Sequence, residues 1–237
     1  MDNDALAKRI IERWYHVLNK SQVDAFGENE FAIDNMDFER LKKITGDIHS
    51  VLDIGAHLGE FYVNMKYFFP SADVYSIEAN PLIIEKLKIV NPQSYQALLS
   101  NRDGDMREFY LPHNGHVLDT GASYYKEASE HFLNPKVLSL PTEKLSTFLQ
   151  KHDLPLTYDL IKIDTQGSEL DILTSDVKSQ WLIIELPIIQ YNYQAPNFDD
   201  YVRKIYQLKY QIVDILEFHR GNDDRLLQID VLCKSSN

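Results

Sequence analysis

Three short runs carry the residues best suited to chemistry, and each is an apolar stretch that ends in an acid. The first is Val51-Leu52-Asp53-Ile54-Gly55-Ala56-His57-Leu58-Gly59-Glu60. It reads as a buried strand, a tight turn over Asp-x-Gly-Ala-x-x-Gly, and a helix N-terminus. Gly55 and Gly59 are expected to let the backbone approach a ligand where any Cβ would clash. Ligands of nucleotide type bind at such turns, outside the carboxyl ends of parallel strands. The second run, Asp73 to Glu78, leads into Ala79-Asn80-Pro81, and Glu78 stands 78 − 59 = 19 residues past Gly59. An acid at about that distance can accept from ribose hydroxyls. It can also cap a helix that has Pro81 in its first turn. The third run is Leu160-Ile161-Lys162-Ile163-Asp164-Thr165-Gln166-Gly167-Ser168-Glu169. Asp164 is either a helix cap or a group facing the ligand's reactive end. Glu169 falls in a first helical turn, where the macrodipole favours an acid whatever its function.

The glycine spacing narrows the ligand. A dinucleotide turn needs Gly-x-Gly-x-x-Gly, but Asp53 occupies the place of its first glycine, and no Lys-Ser/Thr follows for a phosphate loop. The turn therefore suits a nucleoside ligand without a pyrophosphate, and S-adenosylmethionine fits that description best. An NAD-dependent oxidoreductase of the same sheet class is the alternative that this spacing disfavours.

These runs need a scaffold, and the pattern supplies one. Strand and helix signals alternate from residue 51 onward, which implies a parallel sheet covered on both faces. Helices are expected over 59–69, 81–90, 142–151 (with Thr142 as cap), 167–173 and 198–209. Strands are expected over 73–78, 95–99, 107–111, 137–140, 159–164, 181–186, 211–218 and 225–233, the last two as a hairpin. Residues 1–49 read as an N-terminal helical extension, with helices over 4–19 and 36–45, and 50–237 as the main domain. The stripe with Trp14 and Tyr15 serves a helix core or a homodimer contact. Residues 112–136 form a long excursion without period, and excursions of that length are usually functional or disordered. Residues 187–198 form a Tyr- and Pro-rich loop in which Tyr191, Tyr193 and Phe198 either pack together or form a lid.

Composition sets limits. The chain has 237 residues, 44% of them hydrophobic, enough for one core. Lys+Arg is 24 and Asp+Glu is 36, for a net charge of −12. That argues against sequence-independent nucleic-acid binding, which requires basic patches. The single cysteine, Cys233, makes no intrachain disulfide and is too little for a cysteine zinc site. No apolar run is long enough to span a membrane. No secretory signal is seen at the N-terminus, so a cytoplasmic location is expected.

On Asp53-x-Gly55-Ala56-x-x-Gly59, Glu78 with Asn80-Pro81, and Lys162-x-Asp164-x-x-Gly167-x-Glu169, the chain resembles the FkbM family of S-adenosylmethionine-dependent methyltransferases. Weaker matches are the strand ending in Glu185 and the closing Gln228-Ile229-Asp230-Val231-Leu232. The likeness spans roughly residues 50–234. It implies a Rossmann-like class I methyltransferase: α/β, a seven-stranded mostly parallel sheet in the order 3-2-1-4-5-7-6 with strand 7 antiparallel, and helices on both faces. It also implies O-methylation of a small molecule, a sugar or glycan precursor or a polyketide. A non-catalytic assembly domain of the same fold is the remaining alternative.

For the site, the resemblance places the methionine and ribose portions against Asp53, Gly55, Ala56, His57 and Gly59; His57 departs from the asparagine common there. Glu78 and Asn80 face the ribose, and Ser100 and Asn101 the adenine. Methyl transfer to oxygen needs the hydroxyl positioned and its proton removed. Asp164, Glu185 and His116 are the candidates for that work, with His113 and His131 as further histidines that titrate near neutrality. A divalent metal is compatible with Asp164 and Glu185 at neighbouring strand ends, but no metal ligand set is assigned.

Overall fold

Val51 to Ile54 are all buried, as in a strand covered on both faces. They belong to β1 (Ser50–Ile54), the centre of the architecture. The computed structural model describes residues 3–27, 31, 34–112, 121–128, 132–221 and 223–236. Three helices precede β1: α1 (Asn3–Val17), α2 (Lys20–Phe26) and α3 (Phe38–Thr45). After it come α4 (Glu60–Phe68), β2 (Asp73–Glu78), α5 (Ile84–Val90), β3 (Ser94–Gln96), β4 (Leu98–Ser100), β5 (Met106–Leu111) and β6 (Lys136–Lys144). The chain ends with α6 (Leu145–Lys151), β7 (Thr157–Ile163), α7 (Glu169–Ile172), β8 (Lys178–Pro187), α8 (Phe198–Gln207), β9 (Tyr210–Arg220) and β10 (Leu226–Ser235).

The main sheet has seven strands in the order β3-β2-β1-β7-β8-β10-β9. Counted along the chain, that is 3-2-1-4-5-7-6. Strand β10 runs antiparallel to both β8 and β9, and the other pairs are parallel. This is the order that the family resemblance implies. One core packs Leu52, Ile161, Leu182 and Val231 of the central strands against Leu145, Phe148 and Leu149 of α6 and Tyr201 and Ile205 of α8. A second packs Val51, Leu160 and Ile183 against Phe38, Leu41, Phe61 and Met65. Helix α1 buries Ile10 and Trp14, with Leu18 just past its end, against Leu58, Val63, Ile83 and Val90. Trp14 thus belongs to the chain's own core, while Tyr15 is half exposed. Among the described residues no helix is long and apolar enough to cross a membrane.

Several elements differ from expectation, each for a local reason. The single strand expected over 95–99 is two. The chain leaves the main sheet at Ala97, and β4 joins a three-stranded side sheet, β4-β6-β5, because β6 is nine residues long and supplies the ladder. Thr142 lies within β6 and caps nothing; its Oγ1 donates to the Arg102 carbonyl at 2.8 Å. The N-cap residue of α6, Lys144, makes no side-chain cap bond; the Asp103 carboxylate steadies the turn into the helix, accepting from Lys144 N–H at 2.7 Å and Thr147 Oγ1 at 3.2 Å. Helix α5 begins three residues later than expected because the Asn80 side chain accepts from Leu82 N–H at 3.0 Å and holds a turn there. Helix α7 is four residues long, since Gln166 (φ +56°) and Gly167 (φ +103°) keep the preceding turn out of the helix. Helix α2 was not expected; a capping box between Asn19 and Gln22 starts it.

Candidate active site

The carboxyl ends of β2, β1 and β7 lie side by side, and the crevice outside them is where such sheets bind ligands. The turn after β1 is left-handed at Gly55 (φ +80°), His57 (φ +47°) and Gly59 (φ +96°). A Cβ on Gly55 would lie 1.7 Å from the Asp164 carbonyl oxygen. A Cβ on Gly59 would lie 2.8 Å from Val90 Cγ1 and 3.2 Å from Leu87 Cδ1. Gly59 therefore answers to packing within the protein, and Gly55, which lines both cavities, answers to the Asp164 carbonyl as well. Backbone bonds tie the turn to β2: Gly55 N–H and Ala56 N–H donate to the Ile77 carbonyl at 2.9 and 3.2 Å.

Glu78 completes that tie. Its Oε2 accepts from His57 N–H at 2.8 Å and its Oε1 from Asn80 N–H at 2.7 Å. Burial pushes its carboxyl up, and these bonds oppose the shift. Each oxygen retains a lone pair for a further donor. His57 Nδ1 lies 2.5 Å from Glu60 Oε1. Burial works against the imidazolium, but Glu60 outweighs it and the His57 pKa rises. Among the described residues its Nε2 is buried without a partner.

Two cavities meet here. The narrower, about 100 Å³, runs from Gly55, His57 and Glu78 to apolar walls at Ile77, Leu98, Leu99, Phe109 and Ile172. The wider, about 840 Å³, shares Gly55, His57, Asp164 and Gln166 with it and extends over Lys162, Glu185, Tyr191, Glu217, His219 and Asp230.

Charge is organised around Lys162. This lysine stands inside β7, directly beside Asp53 in the parallel register. Its Nζ lies 3.1 Å from Asp164 Oδ2 and 3.9 Å from Asp53 Oδ1. Burial alone would lower its pKa, but Asp164 and Asp53 outweigh burial and raise it. Asp53 is fully buried and lines neither cavity. Burial pushes its carboxyl up to about 7 despite the lysine. The reading of Asp53 as a holder of the ligand's methionine portion is thereby corrected, because its place is that of a counter-charge behind Lys162.

Asp164 and Glu185 are pushed in opposite directions. Burial favours the protonated form of Asp164, but the Lys162 ammonium and the Gln166 amide outweigh burial and hold it below the usual aspartate value. Burial drives Glu185 well above the usual glutamate value, and the neighbouring Asp164 and Asp230 add to that. Gln166 Nε2 bridges the two, at 2.9 Å from Asp164 Oδ1 and 3.1 Å from Glu185 Oε2. Gln228 Nε2 adds a bond of 2.7 Å to the same Glu185 oxygen. Glu169 is structural: its carboxylate accepts from Thr165 N–H at 2.7 Å, from Gly167 N–H at 3.0 Å, and from the Tyr201 hydroxyl.

The structure brings Gly55, His57, Glu78, Asn80 and Asp164 to the narrow cavity, and Ala56 and Glu185 to the wide one. It does not bring Ser100 or Asn101 to either. Once β4 has left the main sheet, Ser100 is buried in the side sheet and Asn101 donates to Asp171 Oδ1 at 2.9 Å; Leu98 and Leu99 line the cavity in their stead. His113, His116 and His131 lie outside the described residues. Of the aromatic loop cluster, Tyr191 lines the wide cavity, while Tyr193 and Phe198 are exposed. The sequence reading passed over Lys162, Gln166, Glu217, His219 and Gln228 as site residues, and Asp230 as more than a weak match. A signal existed for two of them: Lys162 and Asp230 are charges inside apolar runs, and buried charges are almost always paired or ligating.

The Methyltransferase FkbM domain matches residues 53–226. No curated protein matches the sequence. Among solved structures, the fibrillarin pre-rRNA processing protein of Methanococcus jannaschii is 12% identical with a TM-score of 0.49, over 81% of this chain and 69% of that one. Precorrin-6y C5,15-methyltransferase from Geobacter metallireducens is 10% identical with a TM-score of 0.46, over 87% and 93%. A putative O-methyltransferase from Klebsiella pneumoniae is 12% identical with a TM-score of 0.45, over 100% and 92%. Likeness of this degree carries no information on substrate.

Proposed function

The chain belongs to the FkbM methyltransferase family, and on that premise we propose that it transfers a methyl group from S-adenosylmethionine to a hydroxyl of a small molecule, a sugar or glycan precursor or a polyketide. The observation that carries the oxygen-directed reading is the Gln166 amide bridge between Asp164 and Glu185, where the two cavities meet.

The residues fit S-adenosylmethionine. The narrow cavity has apolar walls suited to adenine, and Glu78 at its polar end offers acceptors for ribose hydroxyls. His57 Nε2 is an orphaned buried nitrogen on the same wall. The bound cofactor supplies an electrophilic methyl, so the protein must position the acceptor oxygen and take its proton. A base works best with a pKa near the operating pH. Asp164 is held ionised by Lys162 and is a weak base, so it orients the acceptor. Glu185, which lines the wide cavity beside Asp164 and has no ion-pair partner among the described residues, takes the proton.

The test uses methyl-labelled S-adenosylmethionine with a panel of monosaccharides and polyketide alcohols. Labelled methyl ether is the expected product. Glu185→Gln should keep S-adenosylhomocysteine affinity within about threefold and lose about 10²- to 10⁴-fold in turnover. Asp164→Asn should likewise bind and turn over poorly. Wild-type turnover in Glu185→Gln would remove it as the base. Binding of NADH without S-adenosylhomocysteine would overturn the whole reading.

A further inference from the structure

The last strands place a row of acids along one wall of the wide cavity. In the antiparallel register Asp230 of β10 faces Glu185 of β8 on one side and Glu217 of β9 on the other. Residues directly opposite share a face, and all three line the cavity. Like charges directly opposite on a sheet are destabilising, and here two of them are almost fully buried, Glu185 at 6% and Asp230 at 4% exposure. Such a row is relieved by protonation or by positive charge nearby. Lys162 is engaged with Asp164 and Asp53, and Arg225 pairs with Asp223 at 2.5 Å. Among the described residues, Glu185 has no ion-pair partner. His219, two residues on from Glu217, reaches the row with Nε2 at 2.8 Å from Asp230 Oδ2 and Nδ1 at 3.8 Å from Glu217 Oε1.

The donors on this wall are incompletely used. Both amides on Glu185 go to Oε2, which leaves Oε1 of this buried side chain without a partner among the described residues. Asp230 uses Oδ2 for His219 and leaves Oδ1 in the same state. One donor atom each from Glu185, His219 and Asp230 lies within 4.8 Å of the other two. The neighbouring trio of Asp164, Glu169 and Glu185 is equally close, but Asp164 is held by Lys162 and Glu169 by backbone N–H groups.

We propose that Glu185, His219 and Asp230 bind a divalent first-row transition metal on the wall of the wide cavity. Two carboxylates and an imidazole suit Mn²⁺ and Zn²⁺ better than the all-oxygen sites of Mg²⁺ and Ca²⁺. Three protein ligands leave positions open to the cavity. The ion would hold an acceptor oxygen, a role that rests on the methyl-transfer reading; while it is bound Glu185 serves as its ligand and not as the base, and the site itself does not depend on that reading.

The experiment titrates the chelator-treated full chain with Mn²⁺, followed by loss of the free-ion paramagnetic resonance signal, and with Zn²⁺ by calorimetry. One ion per chain is expected, weakened at least about tenfold in His219→Ala and in Asp230→Asn, with S-adenosylhomocysteine affinity unchanged in both. If His219→Ala does not fold, His219→Gln, which can still donate to Asp230, replaces it. No stoichiometric binding of either metal would overturn the proposal and leave His219 as the cation in contact with the row. Equal binding by wild type and both variants would overturn it too. A chain that binds metal but not S-adenosylhomocysteine keeps this site and loses the methyl-transfer reading; the reverse result loses only the site.

Discussion

Replacing Glu78 by Gln keeps the side chain's shape and removes one acceptor. The two carboxylate oxygens each accept one backbone N–H, from His57 at 2.8 Å and from Asn80 at 2.7 Å. Gln offers one oxygen, so its amide nitrogen must face one of those donors. A lost hydrogen bond to a charged group costs about 1.5–3 kcal/mol. For a chain of this size each kcal/mol lowers Tm by about 2–4 °C, which gives a fall of roughly 3–12 °C. Cofactor affinity is a separate quantity. A ribose hydroxyl that loses a charged acceptor forfeits about the same 1.5–3 kcal/mol, or roughly 10- to 150-fold in Kd at about 1.4 kcal/mol per tenfold. Glu78 is only 7% exposed, so solvent screening takes little from either figure. Scanning calorimetry reads the first effect and titration with S-adenosylhomocysteine the second. A lowered Tm with affinity within about threefold of wild type would mean that Glu78 braces the turn and has no ribose role. An unchanged Tm would refute the claim that the turn hangs on these two bonds.

Gly55→Ala should abolish folding or cost at least about 4 kcal/mol, against roughly 1–2 kcal/mol for Gly46→Ala; Gly46 is also left-handed (φ +72°) but has nothing within 4 Å of its added Cβ. Urea unfolding compares the two, and equal costs would refute the close approach of Gly55 to the Asp164 carbonyl. Burial, reinforced by Asp34, holds the Glu217 carboxyl up near 8, so the folded chain keeps that proton more tightly than the unfolded one, and stability falls as pH rises from about 4.5 toward 8. In chelator-treated protein the Tm of Glu217→Gln should match wild type below pH 4.5 and exceed it at pH 8; the same pH dependence in both would clear Glu217 of the effect.

How much of this was legible in the sequence depended on how far away the deciding neighbour lay. Strands β1, β2, β7 and β8 are apolar runs closed by polar residues, so their ends, and with them Glu78, Asp164 and Glu185, could be located from local pattern alone. The division between β3 and β4 could not, because it depends on the ladder that β6 provides some forty residues later. The need for glycine at position 55 was legible, but its reason was not: the obstacle is the carbonyl oxygen of Asp164, just past the end of β7. The same limit governs the chemistry. By position, Asp53 and Asp164 are equivalent acids at the ends of neighbouring strands. Only the register that sets Lys162 beside Asp53, and turns its ammonium toward Asp164, makes one a buried counter-charge and the other a firmly ionised carboxylate. On the proposed reading, that pairing leaves the proton-accepting role to Glu185, whose nearest charged neighbours are acids. A hairpin completes the argument. Glu217 and His219 alternate with apolar residues as any half-buried strand does, so their spacing showed a strand without showing which face met the cavity. Their importance arises across the sheet, where β10 brings Asp230 between Glu185 and Glu217, and a single sequence contains no local signal for which strands will be neighbours.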